Sequence, residues 1–494
     1  MEVEKRFEYK EEEDVTTSGS SQEEHFHRQE ENALHMETQG IQPVPEDQRT
    51  HTRIFDNFTM WFSVNTALSN LSIGALAIPI YGLGFWDSFA CILIFNAIAV
   101  APGAFFVTFG SRYGMRQMII TRFSFGKYGG IIAALANILV CLGWSVINSI
   151  LGAQLLTSVS NGNLPVWAAI VILSFITVVV AMLGYRVVHH YERFSWIPMW
   201  IIFFIILGIS CHHMELTPIQ SSGATEAGNF LSFAASVVGY NPGWVTCASD
   251  YSVNQPTTFN KRIIFLLAFL GSYISSVLLQ ILGVGITSAL ATNADWQAAY
   301  DGNGVGGLIG ATLEPLGGFG KFLVVVLALG IVACNIPNGY SVSLSLQIIS
   351  TSMVKIPQWC LTLVGCIIYT LIAAFGADHF SDILENFLLI LAYYAAPYTI
   401  IVLVEHHVFR NHGKDYNLED WNDQRNLPLG LAAVASLFIG FGVAMVGMNQ
   451  IWFVGPVAKK IGTYGGDIGF ELAIGVSFIS YLALRPIERR IFGR

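Results

Sequence analysis

The sequence predicts an all-α membrane protein of twelve spans: two five-helix repeats of opposite topology, followed by two extra C-terminal helices. Three observations lead there. Hydrophobic residues fill 53% of 494 positions and charged residues only 12%, where an ordinary soluble chain carries about a quarter charged; mean hydropathy is +0.55. Apolar runs of roughly 18 or more residues recur along the whole chain. Two of these runs, with Gly-Tyr-Asn-Pro-Gly-Trp at 239–244 and Asn-Ile-Pro-Asn at 335–338, carry helix-breaking residues and amides. Unpaired backbone groups cost several kcal/mol each in hydrocarbon, so such breaks are tolerated only where they line a cavity.

The first six spans fall near 60–83, 87–109, 129–157, 165–184, 194–212 and 229–249. The other six fall near 263–290, 321–349, 358–376, 384–405, 427–447 and 467–484. Residues 1–55 differ in kind, with fourteen Asp/Glu against six Lys/Arg and few large apolar residues. That composition predicts a disordered acidic tail, and the remainder, 56–494, is the transmembrane domain. No charged-then-apolar signal peptide opens the chain, so the first span is expected to direct insertion. The net charge of −9 resides mostly in the tail and points to no nucleic-acid partner.

Basic residues set the orientation. Arg112, Arg116, Arg122 and Lys127 lie between spans two and three without an acid among them. With the other even-numbered loops and the C-terminus, sixteen basic residues fall on one side, against Lys321, Lys459 and Lys460 on the other. The positive-inside rule then places both termini in the cytoplasm. The seven cysteines lie in or beside apolar spans, and their odd number argues against a disulfide framework.

Some motifs carry nothing. Gly302-Asn-Gly304-Val-Gly306-Gly307 matches a dinucleotide fingerprint by letter but follows no strand, so it reads as a flexible extracellular connector. No GxxxxGK[ST] loop is present, which removes ATP-driven transport within the chain. The His pairs 189/190, 212/213 and 406/407 stand at span ends and read as interfacial anchors. No paired acids, metal cluster or nucleophile with a base lies in any span, so neither an enzyme nor a metal or cofactor site is expected.

Spans one to five (about 58–212) and six to ten (about 229–405) form the two halves, with the extra helices at about 427–484. Inverted repeats place a broken helix at the same position in each half, with the site between them. Span one reads Leu68 to Gly74 with Ser69, Asn70 and Ser72, then Pro79 and Gly82; span six, its counterpart, carries Gly239, Asn241, Pro242, Gly243 and Trp244. In span three Asn137, Trp144 and Asn148 share one face by spacing. Span eight holds Asn335 and Asn338 around Pro337. Two indoles and several amides thus converge on spans one, three, six and eight. Flat rings sandwich a planar ligand, with stacking worth about 1–3 kcal/mol per base, and Asn offers both donor and acceptor. The structural alternative is that Pro only kinks these helices and Asn glues them together for about 0.6–2 kcal/mol. Asn65, Asn96 and Gln154 are read as mainly structural.

At these residues the chain resembles the fungal purine-cytosine permeases of the nucleobase–cation symporter family. The resembling stretches are Gly110–Met118 with Arg122-Phe-Ser-Phe-Gly126, Gly239–Tyr251, and Asn335-Ile-Pro-Asn-Gly-Tyr340. The resemblance implies a LeuT-type fold and uptake of nucleobases such as cytosine, adenine, guanine and hypoxanthine across the plasma membrane. It implies a substrate site of Trp144, Asn148, Trp244, Asn335 and Asn338, with one of Ser69, Asn70 or Ser72. Cys247 and Gly339 depart from the family pattern beside that site, which leaves vitamin B6, nucleosides or another heterocycle as alternative substrates. A non-transporting nutrient sensor is the reading from another class, supported by the acidic tail alone. That tail offers Lys5 and Lys10 for ubiquitin-dependent turnover.

The expected coupling ion is a proton. Ala328 to Cys334 of span eight contains no Ser or Thr, so a hard cation would lack oxygen ligands there. Asp250, at the cytoplasmic end of span six, is the candidate relay. It reads equally well as a helix cap or as a partner for Lys261 or Arg262.

Overall fold

The computed structural model describes residues 41–49, 51–182, 185–216, 222–350 and 352–494, with backbone alone at 181, 182, 185–195 and 354. Fourteen α-helices are described. The first predicted run contains two short ones, α1 (Asp56–Val64) and α2 (Leu68–Leu76). Then come α3 (Phe85–Tyr113), α4 (Gln117–Val159), α5 (Val166–Met182) and α6 (Tyr185–Ser210). The second half holds α7 (Ala224–Tyr240), α8 (Lys261–Ser288), α9 (Ala294–Leu313), α10 (Gly317–Ile349), α11 (Gln358–Gly376) and α12 (Phe380–Val404). The last two are α13 (Leu431–Gly447) and α14 (Gly469–Phe492). Each predicted apolar run thus carries helix. Six described helical stretches are long and apolar enough to cross a membrane by length and composition.

The helices pack in two groups. In one, α8 lies against α1, α2 and α3, and α3 runs on to α7. In the other, α4 pairs extensively with α10, and both contact α5 and α11. The α2–α8 contact is close because both sides are glycine. A Cβ at Gly74 would lie 1.8 Å from the Gln280 carbonyl oxygen, and one at Gly283 would lie 2.1 Å from that of Leu71.

The break in the first run lies upstream of its predicted place. Leu68 to Gly74 is helical, and the chain is extended at Ala67 (φ −129°, ψ 147°). Side chains rather than glycine or proline make this interruption. Asn65 Nδ2 and Thr66 Oγ1 donate to the carbonyls of Trp61 (2.9 Å) and Phe62 (2.7 Å), occupying the last acceptors of α1. Gly239 is likewise no break: it sits in the last turn of α7, where a Cβ would meet the Leu388 carbonyl oxygen at 2.0 Å. The α-helix gives way at Asn241, to two short 3-10 turns, Asn241–Trp244 and Ala248–Tyr251. Pro337 breaks nothing either, since α10 runs unbroken through it. Proline removes one N–H, here the donor to Ala333, and the neighbouring bonds hold the helix.

Two further expectations are corrected. The 302–307 segment is a kink within α9, at Asn303 and Gly304, rather than a loose connector. Gln154 fixes it: Asn303 Nδ2 donates to the Gln154 carbonyl (2.6 Å) and the Gly306 N–H to Gln154 Oε1 (3.3 Å). The tail is structured earlier than residue 56. Val44 N–H donates to the Gly114 carbonyl (2.8 Å), Arg49 Nη1 to the Ser111 carbonyl (2.8 Å) and His51 N–H to the Asn254 carbonyl (3.0 Å). Residues 41–49 and 51–55 therefore form a strap across the end of α3 and the loop after α7. Lys5 and Lys10 lie outside the described residues.

The last helix is tied on by charge. Buried Arg485 of α14 meets Glu405, just past α12, at 3.1 Å, and Glu488 at 3.0 Å. Arg410 meets the second oxygen of Glu405 at 2.9 Å, and the Tyr481 hydroxyl donates to the first at 2.9 Å. Removing one partner of such a pair leaves an uncompensated buried charge, which costs about 3–5 kcal/mol.

Candidate substrate site

Between the two helix groups lies a cavity with about 930 Å³ of space between atoms, its open mouth included. The α1–α2 break contributes Thr66, Ala67 and Ser69, and the α7 break contributes Gly243, Trp244 and Cys247. Across from them stand Trp144 and Asn148 of α4 and Ala333, Pro337 and Asn338 of α10. The described lining contains no Asp, Glu, Lys, Arg or His. Only neutral dipoles and ring faces are on offer, so the cavity favours an uncharged ligand.

Both predicted indoles line this space, each held edge-on by other rings. Trp144 meets Tyr240 at 5.2 Å (90°) and Phe387 at 5.3 Å (84°). Trp244 meets Trp61 at 5.6 Å (90°), and its Nε1 donates to Asn65 Oδ1 at 3.2 Å. T-shaped pairs of this kind are worth about 0.5–1.5 kcal/mol beyond the area they bury. They fix the indole planes before any ligand arrives.

The predicted amides divide. Asn148 Nδ2 donates to Asn335 Oδ1 (3.1 Å), and Asn335 Nδ2 to Ser149 Oγ (3.1 Å). Asn335 thus supports Asn148 and does not line the cavity itself. Asn148 Oδ1 is buried and has no partner among the described residues. A buried acceptor left unpaired costs about 1–3 kcal/mol, which a ligand N–H would recover. Asn338 lines the cavity directly, and Pro337 frees the Ala333 carbonyl on the same face. Of the three candidates in the first run only Ser69 reaches the space. Asn70 Nδ2 donates to the Asn65 carbonyl (2.9 Å) and its Oδ1 accepts from Gln280 (2.9 Å). Ser72 Oγ donates back to the Leu68 carbonyl (3.0 Å). Both are corrections, for their polar atoms point into helix contacts.

Asn137 clamps three elements together. Its Nδ2 donates to Ser341 and Ser345 Oγ, both at 2.9 Å, and its Oδ1 accepts from Thr246 (2.6 Å). Asp250 does not line the cavity; its Oδ1 accepts the Gln117 N–H at 2.7 Å, at the start of α4. That contact caps the start of α4.

Residues 43–469 match the family described as permeases for cytosine/purines, uracil, thiamine and allantoin. The chain belongs to this cytosine/purine permease family. It is 42% identical to the purine-cytosine permease fcyB of Emericella nidulans, over 93% of this chain and 90% of that one. Identity to the purine-cytosine permease FCY2 of Saccharomyces cerevisiae is 39%, covering 94% and 88%. Among solved structures, Mhp1, a nucleobase-cation-symport-1 family transporter in a closed conformation with bromovinylhydantoin bound, matches with TM-score 0.70. That match has 16% identity and covers 92% of this chain and 96% of Mhp1, so it carries the LeuT-like fold alone. A multi-pass membrane permease, not an enzyme, is what this family membership establishes.

Within this permease, sequence reasoning missed Tyr240 and Phe387, which hold Trp144, and Met199 of α6, which also lines the cavity. Their sequence signal is that of any buried apolar residue. Asn65 did carry a signal, as an amide followed by small polar residues in an apolar run.

Proposed function

We propose that this permease takes up nucleobases, cytosine and purines such as adenine, guanine and hypoxanthine, by proton symport across the plasma membrane. One observation carries the reading: two indoles and an unpaired Asn148 oxygen converge in a cavity lined by neutral groups. A planar heterocycle would lie against Trp144 and Trp244, donate a ring or exocyclic N–H to Asn148 Oδ1, and meet Asn338 at its other edge. Ser69 would complete the site from α2. The same reading has twelve crossings, with α1–α2 and α7 as the broken first helices of two inverted repeats and both termini in the cytoplasm.

Proton coupling rests on α10, where Ala328 to Cys334 offers no hydroxyl that could ligate sodium. Asp250 is the candidate carrier. Protonating it would weaken its cap on α4, linking the proton to the cytoplasmic side of the α7 break. Uptake of labelled cytosine, competed by adenine, guanine, hypoxanthine, nucleosides and pyridoxine, tests the substrate. Competition by pyridoxine alone overturns it. The ion is tested by uptake from mildly acid to mildly alkaline external pH, with and without sodium. Sodium dependence with no response to a proton uncoupler refutes the proton.

A further inference from the structure

The two helix breaks are joined behind the cavity wall by side chains that do not line the cavity. At one end, Asn241 Nδ2, at the start of the α7 break, donates to Asn96 Oδ1 of α3 (3.0 Å). Asn96 Nδ2 donates to Gln280 Oε1 of α8 (2.7 Å). Gln280 Nε2 donates to Asn70 Oδ1 of α2 (2.9 Å), and Asn70 Nδ2 to the Asn65 backbone carbonyl at the α1–α2 break (2.9 Å). All four amides are between 0% and 3% exposed. Every donor points the same way along the chain, an arrangement in which each bond polarises the next and deletions are not additive. The cavity face closes the circuit, because Trp244 of the α7 break donates to the Asn65 side chain at 3.2 Å.

Building four amides into an apolar interface is costly, the more so where a polar atom goes unpaired, as Asn241 Oδ1 does among the described residues. If they served only to satisfy the Asn65 carbonyl, Asn70 alone would do. The other three spend their hydrogen bonds on joining α2, α8, α3 and the α7 break. We propose that Asn70, Gln280 and Asn96 are positioning residues that lock the two helix breaks together, so that the wall formed by α1, α2 and α7 moves as one body. The proposal rests on the transporter reading, in which one helix group rocks against the other around a fixed site. Gln280 is the central link and lies a full helix away from the ligand space.

Gln280→Met keeps the volume and removes both bonds, leaving Asn70 Oδ1 without its donor and Asn96 Nδ2 with only the Ile92 carbonyl of its own helix (2.9 Å). In vesicles, the saturated uptake rate of labelled cytosine should fall at least about tenfold. Its equilibrium dissociation constant should stay within about threefold, since no cavity group is changed. Asn241→Ala, which trims only the last amide, should lower the rate in the same direction, and the double variant should be no slower than Gln280→Met alone. Ser276→Ala, one turn away on α8 and outside the chain of amides, should transport at the wild-type rate. A wild-type rate in Gln280→Met, or losses that multiply in the double variant, overturns the proposal. So does a rate that falls only in step with affinity. Should Gln280→Met not reach the membrane, a wild-type rate in Asn241→Ala overturns it equally. A wild type that binds no heterocycle fails the functional reading alone. The lock is then judged by thiol labelling of Cys247 and Cys334, which line the cavity, and equal labelling of wild type and variant refutes it.

Discussion

Asn148→Ala is the sharpest perturbation of the site, because the side chain has two ends with different work. Its Nδ2 is bound to Asn335 at 3.1 Å, while its Oδ1 has no partner among the described residues. Truncation therefore removes one hydrogen bond to the ligand and leaves Asn335 Oδ1 unpaired in both free and bound states. Only the first loss affects binding. A ligand N–H left without its acceptor costs about 1–3 kcal/mol, which is roughly a five- to 150-fold rise in dissociation constant. Asn335→Ala keeps the ligand acceptor but frees Asn148 to rotate, so its loss should be smaller, about three- to tenfold. The double variant should be no weaker than Asn148→Ala alone, because both act through one oxygen. Equilibrium binding of labelled cytosine to purified protein reads all three without involving the coupling ion. Wild-type affinity in Asn148→Ala, or additive losses in the pair, would show that Asn148 only joins α4 to α10.

Trp244→Ala should abolish uptake with protein still at the cell surface, whereas Trp244→Phe should keep part of the stacking and lose only the bond to Asn65; uptake normalised to surface protein separates them, and normal uptake in the alanine variant sinks the stacking role. Gly74→Ala should prevent stable accumulation, since its Cβ would lie 1.8 Å from a backbone oxygen of α8 and overpacking of this kind costs about 1–3 kcal/mol or more; wild-type thermal stability would show that α2 and α8 can move apart. Arg49→Ala removes the strap's bond to Ser111 and should leave cytosine affinity unchanged while lowering the melting temperature by only about a degree, as about 1 kcal/mol would in a chain of this length. A changed affinity would place the strap in the transport cycle.

The helices were legible because each needs only a long apolar run, and the indoles because Trp beside Asn in such a run has few structural uses. The breaks were placed less well. Leu68 to Gly74 looked weak on composition, yet it is held as helix by burial against α8, while Asn65 and Thr66 end α1 through their own side chains. Pro337 looked like an interruption, but it deletes a single donor, and the rest of α10 pairs normally. Propensity describes what a residue does to an isolated helix, and packing decided both cases.

The harder distinction was among asparagines. Asn70, Asn148, Asn335 and Asn338 are chemically identical in sequence, each with two donors and an acceptor. What separates a binding residue from a structural one is how much of that capacity the protein itself uses. Asn70 is engaged at both ends, by the Asn65 carbonyl and by Gln280, and lines no part of the cavity. Asn335 is engaged at both ends, by Asn148 and by Ser149. Asn148 gives up only its donor end, and its oxygen stays unpaired beside two indoles. Gln280, which engages the Asn70 oxygen, stands 210 positions away in the chain, and the partners of Asn335 stand 186–187 away, so no local pattern could reveal them. In a cavity without charge, that one unsatisfied oxygen is where recognition of a ligand N–H has the most free energy to recover.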